Sequence, residues 1–238
     1  MSSLDKLKIK IFADGANIKE MFSLNDKKYI SGLTTNPSLM KQQNINDYKT
    51  FAKKILKKIK KKPLSFEVTS DTLEEMEKQA IEISSWSKNI YVKIPFLNSK
   101  GMKTTRLIKK LSQKGIKINV TALFTIQQVK DVLKSLDKNS VAYLSIFAGR
   151  IADTGVDPAP IIKKSVKLSK KFKNVEILWA SVREPYNFIQ AKQINCHIIT
   201  VPPPIIEKIE KFGKNTKSLT VDTVKNFLKD SKKSKFKI

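Results

Sequence analysis

The chain has 238 residues, with 47 lysines and arginines against 21 aspartates and glutamates, a formal net charge of +26, and a hydrophobic fraction of 40%. That length fits one large domain or two small ones with a substantial core, and that apolar content excludes a disordered chain. One cysteine, Cys196, and one histidine, His197, exclude an intramolecular disulfide, a multi-thiolate zinc site and a multi-histidine metal centre.

The N-terminal segment Met1–Lys10 alternates lysine with apolar residues and has no apolar stretch or small-residue cleavage site, so no signal peptide is expected. No run approaches the roughly 18 apolar residues of a membrane span, and a cytoplasmic protein is expected. The first strand-like run is Lys8–Asp14 and the second Gly32–Asn36. Tyr48, Phe51, Ala52, Ile55 and Ile59 then repeat at helical spacing before a third strand, Leu64–Thr69. Asp71-Thr72-Leu73-Glu74 sets a capping residue before an acidic first turn, the start of a helix leading to the fourth strand, Ile90–Phe96. The fifth strand is Ile116–Phe124, followed by a helix face of Val129, Val132, Leu133 and Leu136, and the sixth is Val141–Phe147. Asp157-Pro158 opens a helix with Ile161, Ile162, Val166, Leu168 and Phe172 on its apolar side, and the last strands are Glu176–Ser181 and Cys196–Pro202. Eight strands separated by helices make parallel βαβ units. The predicted fold is α/β, a single (β/α)8 TIM barrel over residues 1–228 that includes an extra C-terminal helix at Val221–Leu228, with a flexible Lys-rich tail over 229–238. No two of the seven glycines fall in a G-x-G spacing, which argues against a dinucleotide-binding open sheet.

A barrel of this kind carries its active site at the C-terminal ends of its strands. Nearly every predicted strand ends there in polar residues. These are Asp14; Thr34, Thr35 and Asn36; Glu67; Lys93; Asn119 and Thr121, two apart and so on one face; Ser145 and Phe147, then Arg150; and Ser181 and Arg183. A lone Asp or Asn at a strand end is more often a loop cap than a catalyst. Lys93, inside Ile90–Pro95, and Glu67, inside Leu64–Val68, are costly to bury unpaired, and the plain structural reading is an ion pair joining neighbouring strands. Against it stands the company: two carboxylates, a lysine, two amides and several hydroxyls from seven strands point at one end. Burial disfavours the charged form of a lysine, and a neutral amine attacks a carbonyl carbon to form a Schiff base. Asp14 and Glu67 are available for the proton transfers such chemistry needs. Only three of the cationic residues are arginine, and two of them, Arg150 and Arg183, fall at this mouth. Arginine grips phosphate through a planar fork that lysine lacks, so an oxyanion ligand is expected. Arg106 reads as surface, and His197, in the apolar run Cys196–Val201, as a packed strand residue.

Six segments, in order, carry a resemblance. Ile11-Phe12-Ala13-Asp14-Gly15-Ala16-Asn17, Gly32-Leu33-Thr34-Thr35-Asn36-Pro37-Ser38, Val92-Lys93-Ile94-Pro95, Asn119-Val120-Thr121, Ser145-Ile146-Phe147-Ala148-Gly149-Arg150-Ile151 and Ala180-Ser181-Val182-Arg183 resemble the motifs of the transaldolase family. More narrowly they resemble its short branch, which also contains the fructose-6-phosphate aldolases, in register from about residue 8 to 213. The resemblance implies a cofactor-free class I aldolase barrel of the pentose phosphate pathway. Such an enzyme moves a dihydroxyacetone unit from sedoheptulose 7-phosphate or fructose 6-phosphate to glyceraldehyde 3-phosphate or erythrose 4-phosphate. It implies Lys93 as the Schiff-base lysine, Asp14 as the base at the donor's C4 hydroxyl, and Glu67 and Thr121 as holders of the water that shuttles protons. Asn36 and Asn119 would bond the substrate hydroxyls, with Ser145 as a further contact, and Arg150, Ser181 and Arg183 would hold the phosphate. Fructose-6-phosphate aldolases carry Gln where this chain has Glu67 and Tyr where it has Phe147, so transfer is expected over release of dihydroxyacetone. The chain departs from the family pattern at Ala13, usually a larger apolar residue, and at Gly15, usually Thr. The tail beyond about Leu228 has no evident counterpart. Relatives in the short branch form rings with the C-terminal helix against a neighbour, so a homo-oligomer through Val221–Leu228 is expected.

A basic nucleic-acid-binding protein is the alternative from a different class. The lysines scatter over almost every predicted helix, the aromatics sit in strands or on apolar helix faces, and no helix-turn-helix, zinc or OB-type signature appears. Nucleic acid is therefore not expected as a partner, and the charge reads as a compositional habit that also draws anionic sugars to the barrel mouth.

Overall fold

Residues 9–234 are described by a computed structural model. The apolar runs become eight strands: β1 (Lys10–Asp14), β2 (Ile30–Thr34), β3 (Leu64–Glu67), β4 (Ile90–Pro95), β5 (Ile118–Leu123), β6 (Ala142–Phe147), β7 (Val175–Ala180) and β8 (Ile198–Val201). They pair in parallel in chain order, and β8 closes on β1 to complete the barrel. The helices are α1 (Ile18–Asp26), α2 (Pro37–Gln42), α3 (Tyr48–Lys58), α4 (Leu73–Ser85), α5 (Thr105–Gln113), α6 (Ile126–Ser135), α7 (Ala148–Ala152), α8 (Ala159–Ser169), α9 (Tyr186–Gln193), α10 (Pro203–Ile209) and α11 (Thr216–Ser234). This is the predicted TIM barrel with a C-terminal helix. Among the described residues no helix is long and apolar enough to cross a membrane.

Local chemistry accounts for the joints. The Thr72 hydroxyl caps α4 at the Glu75 N–H, while the neighbouring Asp71 carboxylate takes the Ser99 N–H and hydroxyl instead. Asn36 and Pro37 open the short α2, whose six residues are too few for a periodic signal. At the other end of the chain α11 begins five residues before the predicted Val221 and runs through Lys229–Ser234, so these residues of the predicted tail are helical. That stretch contains neither Gly nor Pro, and lysine is a good helix former. Lys8 and residues 235–238 lie outside the described part.

Alternation along the strands divides the barrel interior into two levels. The lower level is apolar: Phe12, Tyr91, Tyr143, Leu178 and Ile198 pack together, with Phe12 edge-on to Tyr143 at 5.5 Å and Tyr91 stacked on Tyr143 at 4.0 Å. Gly32 makes room for this plug, since a Cβ there would lie 2.6 Å from the Phe12 ring. Two residues further along most strands the inward side chain turns polar: Asp14 above Phe12, Thr34 above Gly32, Lys93 above Tyr91, Ser145 above Tyr143 and Thr200 above Ile198. The outward faces, among them Leu33, Phe66, Val92, Val120, Ile146 and Ile199, form the main core with the helices. His197 sits just below β8, where its ring Nδ1 accepts the Ile177 N–H at 2.9 Å. That is the opposite end of the barrel from the polar level, and Arg106 is exposed on α5.

Candidate active site

Above the aromatic plug the strand ends enclose a cavity of about 500 Å³. Asp14, Asn36, Glu67, Lys93, Asn119, Thr121, Ser145, Phe147, Arg150, Ser181 and Arg183 all line it. The two-residue alternation and the barrel's closure bring these eleven side chains together, while Thr35, between Thr34 and Asn36, is not among the lining residues.

Register sets the central pair: Glu67 lies opposite Lys93, and Lys93 opposite Asn119. The Lys93 Nζ stands 3.0 Å from Glu67 Oε2 and donates to the Thr35 carbonyl at 2.9 Å. The plain ion pair read from the sequence is therefore made, and it is made in the cavity wall, with side-chain exposures of 8% and 17%. A buried ion pair adds little net stability over apolar residues of similar size, so packing alone does not account for it.

Asp14 faces the same space. The Thr34 hydroxyl donates to Asp14 Oδ1 at 2.7 Å and lies 2.5 Å from the Thr200 hydroxyl. Thr34 has one proton and gives it to the carboxylate, so Thr200 donates to Thr34. Burial pushes the Asp14 carboxyl above the usual carboxylate range, outweighing the opposite pull of Lys93 and the Thr34 bond. The Gly15 N–H that follows is bonded to the Thr34 carbonyl at 3.0 Å.

On the opposite wall Ser145 Oγ donates to Asn119 Oδ1 at 2.6 Å, and Asn119 Nδ2 donates to Ser65 Oγ at 3.1 Å. Thr121 Oγ1 is buried with no hydrogen-bond partner among the described residues. Directly after it Ala122 adopts a left-handed φ of 56°, where the β5–β6 register slips. A non-glycine residue held there is strained, as functional positions often are. Asn36 is a cap as well as a wall residue, because its Oδ1 accepts the Leu39 N–H, a bond that leaves its amide nitrogen unused.

The third wall is cationic. The Arg150 guanidinium lies over the Phe147 ring, 5.2 Å from its centroid. Arg183 forks onto Asp153 through Nε at 3.3 Å and Nη2 at 2.5 Å, which holds the Asp153 carboxyl below its usual range. Ser181 has a left-handed φ of 63°, and a Cβ on Gly149 would lie 1.7 Å from its carbonyl oxygen. The corner after β6 and the end of β7 are thus in backbone contact.

Four contributors escaped the sequence reading: Thr200, Ser65, Asp153 and Tyr48, whose hydroxyl binds the backbone of Glu67. Thr200 had a signal, a polar residue in the apolar run Ile198–Val201. Ser65 lies at a lower strand position, Tyr48 on a helix and Asp153 in the turn after α7, where such residues are unremarkable.

A sequence profile described as Transaldolase/Fructose-6-phosphate aldolase matches residues 11–238. The chain belongs to the transaldolase/fructose-6-phosphate aldolase family. The match covers the C-terminal tail, which corrects the expectation that residues beyond Leu228 have no counterpart. Members similar to it include a probable transaldolase of Thermoanaerobacter sp. (strain X514), 35% identical over 97% of this chain and 100% of the relative. Another, from Streptococcus equi subsp. zooepidemicus (strain MGCS10565), is 34% identical over 93% of this chain and 97% of its own. A third, from Dehalococcoides mccartyi, is 35% identical over 83% and 88%. Transaldolase/fructose-6-phosphate aldolase enzymes act on sugar phosphates, and an amine, two carboxylates and two arginines around one cavity suit such ligands.

Proposed function

We propose that this protein is a transaldolase that moves a dihydroxyacetone unit between phosphorylated sugars through a Schiff base on Lys93. The observation that carries the reading is the Lys93 amine, 3.0 Å from the Glu67 carboxylate in the wall of a polar cavity that Asp14 shares. Glu67 is the carboxylate nearest Lys93 and takes the proton that Lys93 must shed before it attacks the donor's C2 carbonyl. The carbinolamine then loses water, which Glu67 and Thr121 hold, to give a protonated imine. Asp14 removes the C4 hydroxyl proton, the C3–C4 bond breaks, and its electrons pass to the imine to leave an enamine. The first aldose phosphate departs, the enamine attacks the acceptor's aldehyde carbon, and Asp14 returns its proton to the new hydroxyl. Water then hydrolyses the imine and frees Lys93.

A carboxyl whose proton affinity is raised by burial suits this exchange. Asn36, Asn119 and Ser145 bond the hydroxyls of the three-carbon unit, and Arg150, Ser181 and Arg183 hold the phosphate. Phe147 brings no hydroxyl near the enamine, which favours waiting for an acceptor over protonation and release. The exposed side chains of Val221, Val224, Phe227 and Leu228 on α11 support assembly of copies of the chain through that helix.

The test supplies fructose 6-phosphate and erythrose 4-phosphate and follows sedoheptulose 7-phosphate, with borohydride trapping of the donor adduct. The expected result is product and one adduct, on Lys93. Activity with Lys93 unmodified would overturn the Schiff-base reading, and dihydroxyacetone release without acceptor at a comparable rate would make the protein an aldolase.

A further inference from the structure

The ladder between β2 and β3 stops one bond early. Leu33 donates its N–H to the Pro63 carbonyl at 2.9 Å, and Thr35 donates to the Ser65 carbonyl at 3.2 Å. In a parallel ladder of this register the next bond runs from the Glu67 N–H to the Thr35 carbonyl. It is not formed. The Thr35 carbonyl accepts the Lys93 Nζ instead, at 2.9 Å. The Glu67 N–H goes to the Tyr48 hydroxyl at 2.8 Å, and that hydroxyl donates to the Glu67 carbonyl, also at 2.8 Å. One phenol thus satisfies both backbone groups that Glu67 turns toward β2, and the carbonyl released from the ladder receives the amine.

We infer that Tyr48 is a positioning residue for the Lys93–Glu67 pair: it takes the place of β2 along Glu67 and so reserves the Thr35 carbonyl for Lys93. The inference rests on the reading of Lys93 as the Schiff-base residue and adds a requirement that this reading does not contain. Without the hydroxyl, the buried Glu67 N–H and carbonyl lose their partner, and the nearest remedy is the missing bond to Thr35. That remedy draws the strand ends together and takes the acceptor away from Lys93.

Tyr48 is built to hold this post. It is the first residue of α3, directly after the Asp47 cap, whose Oδ1 accepts the Thr50 N–H at 2.9 Å. Its ring packs edge-on against Phe66 at 6.1 Å and Trp86 at 6.0 Å. Burial pushes the phenol far above its usual range, so the hydroxyl keeps the proton it donates.

The experiment compares the full chain with Tyr48→Phe and with Trp86→Phe, which disturbs the same aromatic cluster and keeps the hydroxyl. Single-turnover borohydride trapping with fructose 6-phosphate is measured beside steady-state kcat and KM. Tyr48→Phe is expected to slow Lys93 adduct formation and kcat by roughly 10-fold while KM stays within about twofold, because the phosphate wall is untouched. Trp86→Phe is expected to lower Tm and leave that split absent. A wild-type adduct rate in Tyr48→Phe, or an equal loss in Trp86→Phe, overturns the inference while Lys93 keeps its role. If the unmodified protein yields no Lys93 adduct, the reading of the site falls and takes the inference with it. Hydrogen exchange on the unmodified protein serves should Tyr48→Phe fail to fold. Slow exchange of the Glu67 amide is expected, and exchange at the rate of an open loop amide overturns the inference.

Discussion

Asp14 sits where a carboxylate is poorly solvated, and burial leaves its proton affinity higher in the folded protein than in the unfolded chain. Between the ordinary carboxylate pKa and this raised one, the folded state binds more protons. Stability contributed at this position therefore falls as pH rises through that window. Asp14→Asn removes the charge and keeps an oxygen for the Thr34 hydroxyl. It is expected to raise Tm near neutral pH and to lose most of that advantage as pH falls to the ordinary carboxylate value, below which Asp14 is protonated in both the folded and the unfolded chain. Turnover is expected to drop by on the order of 100-fold. Calorimetry of both proteins from about pH 4 to 8 checks this, and a Tm difference independent of pH would sink it. Asp14, Glu67 and Lys93 were legible in the sequence because a charged residue inside an apolar run is a local anomaly. Ser65 and Tyr48 were not, because their importance lies in which distant atom they meet.

Elements, rather than single side chains, build the cationic wall. The short α7, directly after β6, carries Arg150, the segment directly after β7 carries Ser181 and Arg183, and the two touch where Gly149 meets the Ser181 carbonyl. A methyl group at Gly149 has to push the two apart, since the atom in its way is backbone. Gly149→Ala is expected to raise KM for fructose 6-phosphate by about 10-fold or more and to leave borohydride trapping with unphosphorylated dihydroxyacetone nearly unchanged. An unaltered KM would show that the wall does not hold the phosphate. The strand pattern behind this wall was legible, because period-two alternation is a property of neighbouring residues. α11 extends beyond the predicted Val221–Leu228 at both ends, because the lysine run after it contains nothing that breaks a helix.

For the whole molecule, the charge of +26 comes from lysines spread over helices and loops alike. The unusual surface is α11, which buries none of its residues and exposes Val224 to 60% and Phe227 to 69%. Apolar side chains in a row on an isolated helix call for a covering surface, and a second copy of the chain supplies one without a further component. Sedimentation of the full chain is expected to give a multiple of 27.1 kDa, and Val224→Asp combined with Phe227→Asp to return it to the single-chain mass with Lys93 trapping retained. A wild-type chain at the single-chain mass would end the proposal.

Amino-acid order by itself determined the barrel, the end of it at which the cavity opens and the side chains that line that cavity. Alternation, helical spacing and a charge within an apolar run are all readable over a few residues. Only the tertiary structure decided how those side chains are held: Lys93 by the Thr35 carbonyl, 58 residues away, Arg183 by Asp153, 30 away, and Glu67 by Tyr48, 19 away. Barrel closure makes these neighbours, and a hydrogen bond acts over about 3 Å whatever the separation along the chain.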